Sequence, residues 1–335
     1  MNIEQQFVIV EKQVGRYHAF PTLAQTDGII WLACRSGNVA KRQCHGGEGS
    51  VRLFEASAAE VDCWRDKGTL FSPSPEGSCN ELDAIISAPT AELAFLATRD
   101  FEYGRRNNTF FSRCSGFPCT ERVPLAEIAD RALICFGHIR RTADETLLMS
   151  GYAGTENEPQ AAPYLLASTD QGQSWQLRAK VASSESAGTR LTEYSLGHLG
   201  DVRWITLIRS ETPPYFLHRS ESMDDGRSWS APQPTDLKGH APMLIEIKPS
   251  GNLLVLYRDL SRKAPDVGIG FSDDGGKTWH RIGSLASYKG SIYDGGYGDL
   301  IQLEGNRFLA VYYLCDQDAS PWIEGAIFTI EHELL

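Results

Sequence analysis

The chain lacks any run of 18 apolar residues and any charged-then-apolar leader. Neither a membrane span nor a secretory signal is therefore expected, and a cytoplasmic location is the expectation that follows. Basic charge is in deficit: 32 Lys and Arg against 43 Asp and Glu leave a net charge of −11. That balance disfavours nucleic acid and anionic membrane surfaces as partners, while leaving room for a local basic pocket. Metal-ligand spacing is also missing. The eight cysteines (Cys34, Cys44, Cys63, Cys79, Cys114, Cys119, Cys135 and Cys315) fall at irregular intervals. No metal or other cofactor is expected, and the thiols are expected to be reduced, although Cys114 and Cys119 could meet across a turn. No long apolar stripe at the 3.6-residue helical period is present either, which argues against a helical fold.

What is present is a repeat. The pattern Ser-x-Asp-x-Gly-x-x-Trp occurs three times, at Ser168/Asp170/Gly172/Trp175, Ser222/Asp224/Gly226/Trp229 and Ser272/Asp274/Gly276/Trp279. Two worn copies precede them. Ser57 to Trp64 keeps the Ser and Trp, and Ser112 to Cys119 keeps Ser112 and Gly116. The five end points, 64, 119, 175, 229 and 279, advance by 50 to 56 residues, the mark of units that bury their faces only against one another. Each box reads as a hairpin turn. Asp and Ser oxygens accept from the turn's own N–H groups, Gly supplies a positive φ, and Trp folds back onto the strands. An aspartate repeated in three units is structural, not a unique catalytic group.

Short alternating or apolar strands lead into the boxes (PYLLAST, PYFLHRSES, VGIGFSDD). Longer apolar stretches recur upstream, at 29–33, 93–97, 147–150, 204–208, 253–257 and 308–313. With ten per cent aromatics and 31 glycines, this predicts an all-β chain, 1–335, forming a single domain. Six units of three or four antiparallel strands predict a six-bladed β-propeller. The N-terminal QQFVIVEK is expected to pair beside GAIFTIEHEL, so that N- and C-terminal strands close the last blade and remove a free edge.

The boxes and their period resemble those of the sialidase (neuraminidase) superfamily, whose members are six-bladed Asp-box, or BNR-repeat, propellers. The resemblance spans about 15–325. It implies a site on the inner strands and top loops made of three carboxylate-clamping arginines, a tyrosine nucleophile, a neighbouring glutamate and an acid on an early loop. The reacting carbon of a sialic acid bears a carboxylate. A neutral tyrosine deprotonated by a glutamate approaches it at lower electrostatic cost than an anion would, and forked guanidiniums match the carboxylate.

Position by position, LTEYSLGHLGDVRWITLIRS is similar to the family stretch that begins on the catalytic glutamate and ends on an arginine. This implies Glu193 as the glutamate and Arg209 in the clamp. YDGGYGDLIQLEGNRFLAVYY is similar to the nucleophile strand, placing Tyr297 as nucleophile with Asp299 after it and Tyr293 in reserve. The family's Phe-Arg-Ile-Pro motif is not kept. Tyr17-His18-Ala19-Phe20-Pro21 stands there, with Ala19 or a neighbour in the arginine slot and Arg16 and His18 beside it. Arg35 could reach the centre instead. The last arginine is either Arg258 or Arg262. Four strand-end arginines, Arg35, Arg99, Arg209 and Arg258, suggest a basic funnel. The acid is open between His45, in the glycine-rich loop 36–50, and Asp83, with His240 facing the same end if the blades are equivalent.

These residues imply a sialidase-like glycoside hydrolase, an exo-glycosidase acting on a terminal, acidic sugar, with a glycan as its partner. Two readings compete. One is a lyase or hydrolase for a uronic acid, using His45 or His240 with a tyrosine. The other is a non-catalytic propeller that binds glycan or protein.

Overall fold

The computed structural model describes residues 1–39, 49–71, 80–88, 94–102, 108–114, 123–125, 133–153 and 162–331. His45 and Cys119 lie outside them, and of Asp83 and Arg99 only the backbone is described. The described residues form 24 strands and a single-turn helix at Ser184–Ala187.

The strands assemble into six antiparallel blades. β2 (Arg16–Thr26), β3 (Ile29–Asn38), β4 (Gly49–Ser57) and β5 (Glu60–Phe71) make the first, from the inner strand outwards. β6 (Asn80–Ser87), β7 (Ala94–Glu102), β8 (Asn108–Cys114) and β9 (Val123–Pro124) make the second. In the third, the short β10 (Ile134–Cys135) and β11 (Arg140–Arg141) both pair with β12 (Leu147–Ala153), which continues to β13 (Ala162–Ser168) and β14 (Gln176–Lys180). Blades four and five share one long strand. After β15 (Leu191–His198), β16 (Trp204–Ser210) and β17 (Phe216–Ser222), β18 (Gln233–Glu246) pairs with β17 along its first half. Its second half, from Gly239, pairs with β19 (Leu253–Asp259), followed by β20 (Asp266–Ser272) and β21 (His280–Ser287).

The last blade is β22 (Gly298–Gln302), β23 (Arg307–Leu314), β24 (Trp322–Thr329) and, outermost, β1 (Asn2–Val10). The expected latch is present: β1 runs antiparallel to β24 from Asn2 opposite Thr329 to Val10 opposite Ile323. Neighbouring blades pack around the axis, with β2 on β6, Ser87 of β6 accepting from Ile139 N at 3.0 Å between β10 and β11, β12 on β15, β15 on β18, β18 on β22 and β22 on β2. The six blades of the propeller are joined by apolar clusters between neighbours.

The intact boxes are near-identical turns after the third strand of blades three, four and five. In the first, Ser168 Oγ donates to Asp170 Oδ1 at 2.8 Å and accepts from Gly172 N at 2.8 Å, and Asp170 accepts from Ser174 N at 2.9 Å. The same bonds recur at Ser222/Asp224/Ser228 and Ser272/Asp274/Thr278. Each box glycine has positive φ and also packs on the preceding blade. A Cβ on Gly172 would lie 2.4 Å from Phe95, on Gly226 2.4 Å from Leu165, and on Gly276 2.1 Å from Ile205. The repeated glycine therefore serves both the turn and the seam between blades. The four described free cysteines are Cys34, Cys63, Cys135 and Cys315.

Candidate active site

Three inner strands are irregular at the same end. Register shifts fall between Ala19 and Thr22 on β2, Leu191 and Tyr194 on β15, and His240 and Met243 on β18. Phe20 (φ 54°) and Ala241 (φ 52°) take left-handed conformations within two of them. Bulges re-aim side chains that a regular strand would point along the sheet. Here they gather groups from five blades around Tyr297, which immediately precedes β22.

The phenol of Tyr297 donates to Glu193 Oε1 at 2.8 Å. Arg209, near the end of β16, donates through Nη1 to Glu193 Oε1 at 3.0 Å and also to the Tyr297 oxygen. Its Nη2 donates to Glu211 Oε2 at 2.8 Å. The hydroxyl of Thr192 lies 2.6 Å from Glu193 Oε2 and 3.0 Å from Glu211 Oε1, tying the two carboxylates together. Burial pushes the Glu193 carboxyl up, but Arg209 and hydrogen bonds, including those from Thr192 and Tyr297, outweigh it and hold the group at about 2. Burial pushes the Tyr297 phenol well up, against the pull of Arg209, and Glu193 adds to the rise. A neutral phenol therefore faces an ionised carboxylate, the arrangement that lets oxygen attack as its proton leaves.

An aromatic wall surrounds the phenol. Phe20 meets the Tyr297 ring edge-on at 5.3 Å, and Phe136 and Tyr313 stand at 6.2 Å. Arg258 on β19 covers the ring with its guanidinium 4.7 Å from the centroid. It is fully buried, and donates through Nε to Gly295 O and through Nη1 to Ile292 O, holding the glycine-rich loop before β22. Arg209 Nε and Arg258 Nη2 are buried donors without a partner among the described residues. Such donors are open to a further acceptor.

His240 is buried behind Arg258, its Nδ1 3.5 Å from Nη1, between Tyr215 and Tyr293. Burial, then Arg209 and Arg258, pull it down to about 2, so it is neutral. The structure thus brings Tyr297, Glu193, Arg209, Arg258 and His240 together. Tyr293, the reserve nucleophile, is partly exposed at the rim.

Other expected residues stand apart or beyond description. Ala19 is buried directly opposite Arg35 in the β2–β3 pair. Arg35 is fully buried over the Tyr17 ring, 5.1 Å from its centroid, so it borders the site through Tyr17. His18 is buried and held at about 4 by burial and by Arg16 and Arg52. Arg262 is exposed, 3.7 Å from Asp266. Asp83 pairs in register with Arg99, their side chains lying outside the described residues together with His45. Asp299 is a fully buried brace: Oδ2 accepts from Leu23 N at 2.7 Å and Oδ1 meets His138 Nε2 at 2.9 Å, joining three blades.

Sequence reasoning missed Thr192, beside Glu193 at the start of β15, and Glu211, which directly follows β16. It also missed Asp294, whose Oδ1 accepts from Tyr17 at 2.7 Å and Tyr313 at 2.9 Å. Burial raises the Asp294 carboxyl more than those two bonds lower it. The signal available for Glu211 was its spacing, two residues past Arg209 and so on the same face of an extended chain. Asp294 sits in the quoted YDGGYGD segment but three residues ahead of the tyrosine, where no strand period applies.

Residues 129–309 match the family described as BNR repeat-like domain. No curated protein sequence matches the chain. Among solved structures, it is similar to a protein of unknown function from Dyadobacter fermentans DSM 18053, with a TM-score of 0.83 and 18% identity over 98% of this chain and 99% of that one. It is similar to the Hadza microbial sialidase Hz136, with a TM-score of 0.73 and 16% identity, covering 94% of this chain and 66% of the sialidase. It is also similar to the alpha-L-arabinanase of Penicillium chrysogenum complexed with arabinobiose, with a TM-score of 0.70 and 9% identity over 98% of this chain and 99% of that one. These likenesses concern the fold, which is that of glycoside-hydrolase propellers. With its boxes, six blades and this match over more than half its length, the chain belongs to the BNR repeat-like family.

Proposed function

We propose that this protein is an exo-acting glycoside hydrolase that cleaves a terminal, acidic sugar through a covalent intermediate on Tyr297. The observation that carries the reading is the 2.8 Å hydrogen bond from the Tyr297 phenol to Glu193, with Arg209 bonded to both groups. The Tyr297 oxygen attacks the anomeric carbon while its proton passes to Glu193. The glycosidic bond breaks, and the leaving oxygen takes a proton from an acid for which Asp83 and His45 are the candidates. Water then attacks the anomeric carbon and gives a proton to the now deprotonated acid, while the Tyr297 oxygen departs and takes its proton back from Glu193, restoring both groups.

Arg209 Nε and Arg258 Nη2, buried donors that lack a partner among the described residues, suit the carboxylate of such a sugar. Structures similar to this one are named as a sialidase and an arabinanase, which supports glycosidase chemistry on this fold. The uronate-lyase reading asks His45 or His240 to carry a proton. His240 is fully buried and held neutral at about 2 by burial and two arginines, which weighs against its use, while His45 lies outside the described residues.

The test is a hydrolysis screen against aryl glycosides of sialic acids, uronic acids and neutral sugars, with Tyr297→Phe as control. Release from an acidic glycoside, reduced at least about 10²-fold in the variant, is the expected result. Cleavage untouched by the variant would remove Tyr297 from the chemistry. Silence across the panel with a well-folded protein would favour the binding propeller.

A further inference from the structure

Beyond His240 the site continues outward as an aromatic lip. The Tyr215 ring meets His240 at 5.0 Å, edge-on, and Tyr293 stacks on its other side at 6.3 Å. The two tyrosine hydroxyls stand 3.3 Å apart, closing the lip above the histidine. Tyr215 holds φ 65°, a conformation uncommon for a side chain of this size, so its ring is placed by its surroundings. Tyr293 is 44% exposed and its neighbour Ile292 37% exposed. Rings offered to solvent beside a polar cleft are the usual platforms for the apolar face of a sugar.

The outer side of the same lip is basic. Tyr215 and Ile292 form one wall of a hollow of about 160 Å³ whose other lining includes Lys238, Arg262 and Lys263. Three cations, Lys238 from β18 and Arg262 and Lys263 from the turn between β19 and β20, line it on a chain of net charge −11. The carboxylate beside Arg262, Asp266 at 3.7 Å, is already engaged: it accepts from Arg281 Nη2 at 3.1 Å and from Ser287 Oγ at 2.5 Å. Glu211, at the inner side of the lip, is engaged by Arg209 at 2.8 Å. The hollow thus keeps an excess of positive charge, in a volume suited to one charged substituent.

Resting on the glycosidase reading of the Tyr297 site, we propose that the Tyr215–Tyr293 lip and the Lys238–Arg262–Lys263 hollow form a subsite for the next sugar. The substrate is then an oligosaccharide whose second residue carries a carboxylate or a sulfate. The sugar ring lies on the lip and its anionic group enters the hollow. Arg262, one of the two arginines the sequence offered for the central clamp, serves this outer anion.

Binding tests the subsite apart from turnover. The Tyr297→Phe protein is titrated calorimetrically with a sulfated galactan tetrasaccharide, its desulfated neutral parent, and a tetramer of galacturonate. The same titrations are made with Lys238→Ala/Arg262→Ala/Lys263→Ala added. Both anionic tetramers are expected to bind at least about tenfold more tightly than the neutral one, with the advantage shrinking as salt rises and lost in the triple variant. Tyr293→Ala is expected to weaken all three. Equal affinity for charged and neutral tetramers, no binding of either anion, or an unchanged preference in the triple variant would each overturn the subsite. A subsite that binds in a protein cleaving no glycoside would instead remove the catalytic reading.

Discussion

The Tyr297 phenol and the Glu193 carboxylate stand 2.8 Å apart although 104 residues separate them in the chain. Glu193 lies within the bulge that opens β15, and Tyr297 immediately before β22, so the contact spans the central axis from the fourth blade to the sixth. Arg209, bonded to both, keeps the carboxylate ionised while burial keeps the phenol neutral. Neither protonation state would follow from composition. Each follows from which neighbour the fold supplies.

Glu193→Gln should lower kcat by about 10²- to 10⁴-fold, the range expected when a general base is removed, while circular dichroism remains that of the parent. The same carboxyl affects stability. Its folded value of about 2 lies below the unfolded value of ~4.3, so its ionised form stabilises the fold above that pH, and this stabilisation is lost as pH falls towards 2. Urea midpoints between about pH 5 and pH 3 should therefore fall more steeply for the parent than for Glu193→Gln. Parallel slopes would remove the claim.

Arg209→Gln should introduce an acidic limb into the kcat/KM profile. Arg209 is the leading influence that holds Glu193 low, and burial acts in the opposite direction. Without the guanidinium, burial and the like charge of Glu211 should raise Glu193 to or above its ordinary ~4.3, so that activity is lost as pH falls through that range. The substitution leaves two neighbouring carboxylates uncompensated and should cost about 3–5 kcal/mol, so the profile is measured where the variant is still folded. An unchanged profile would mean that Glu193 does not act as the base.

The box aspartates should matter for stability and not for turnover. Asp274 accepts from Thr278 N at 3.0 Å, Thr278 Oγ1 at 2.7 Å and Ser272 Oγ at 2.9 Å, and these bonds overcome burial to hold it at about 2. Asp274→Ala should lower stability by about 1–2 kcal/mol at neutral pH and leave kcat within about twofold. Because the folded value lies below the ordinary ~3.9, the difference between variant and parent should shrink as pH falls towards 2.

The fold was largely legible because the repeat is written in side chains that act locally. Ser, Asp and Gly of one box close their own turn, so three copies in register announce their hairpins without any long-range information. The edge strand QQFVIVEK was legible as the partner of the C-terminal strand for a related reason: closure needs both ends of the chain. The site was legible only where it rides on strand ends. Glu193, Arg209 and Tyr297 were found together with the strands they border. Asp294, Thr192 and Glu211 depend on bulges and loop turns, which no sequence period encodes. Arg258 and Arg262, four residues apart, looked interchangeable in sequence. The chain reversal between β19 and β20 turns one inward under Tyr297 and leaves the other exposed beside Asp266.

The box glycines offer the sharpest test of how the blades are joined. Gly226 and Gly251 share nearly the same backbone conformation, φ 77° and 79°, so an alanine at either carries a similar conformational penalty of about 1 kcal/mol. They differ in what a Cβ would meet. At Gly251 nothing lies within 4 Å, whereas at Gly226 the new atom would stand 2.4 Å from Leu165 on the preceding blade. Gly226→Ala should therefore cost about 1–3 kcal/mol beyond Gly251→Ala, because blade four must move off blade three to admit the methyl group. Urea denaturation of both variants measures the difference. Equal losses would mean that the seam yields without cost, and that the glycine is required by the turn alone.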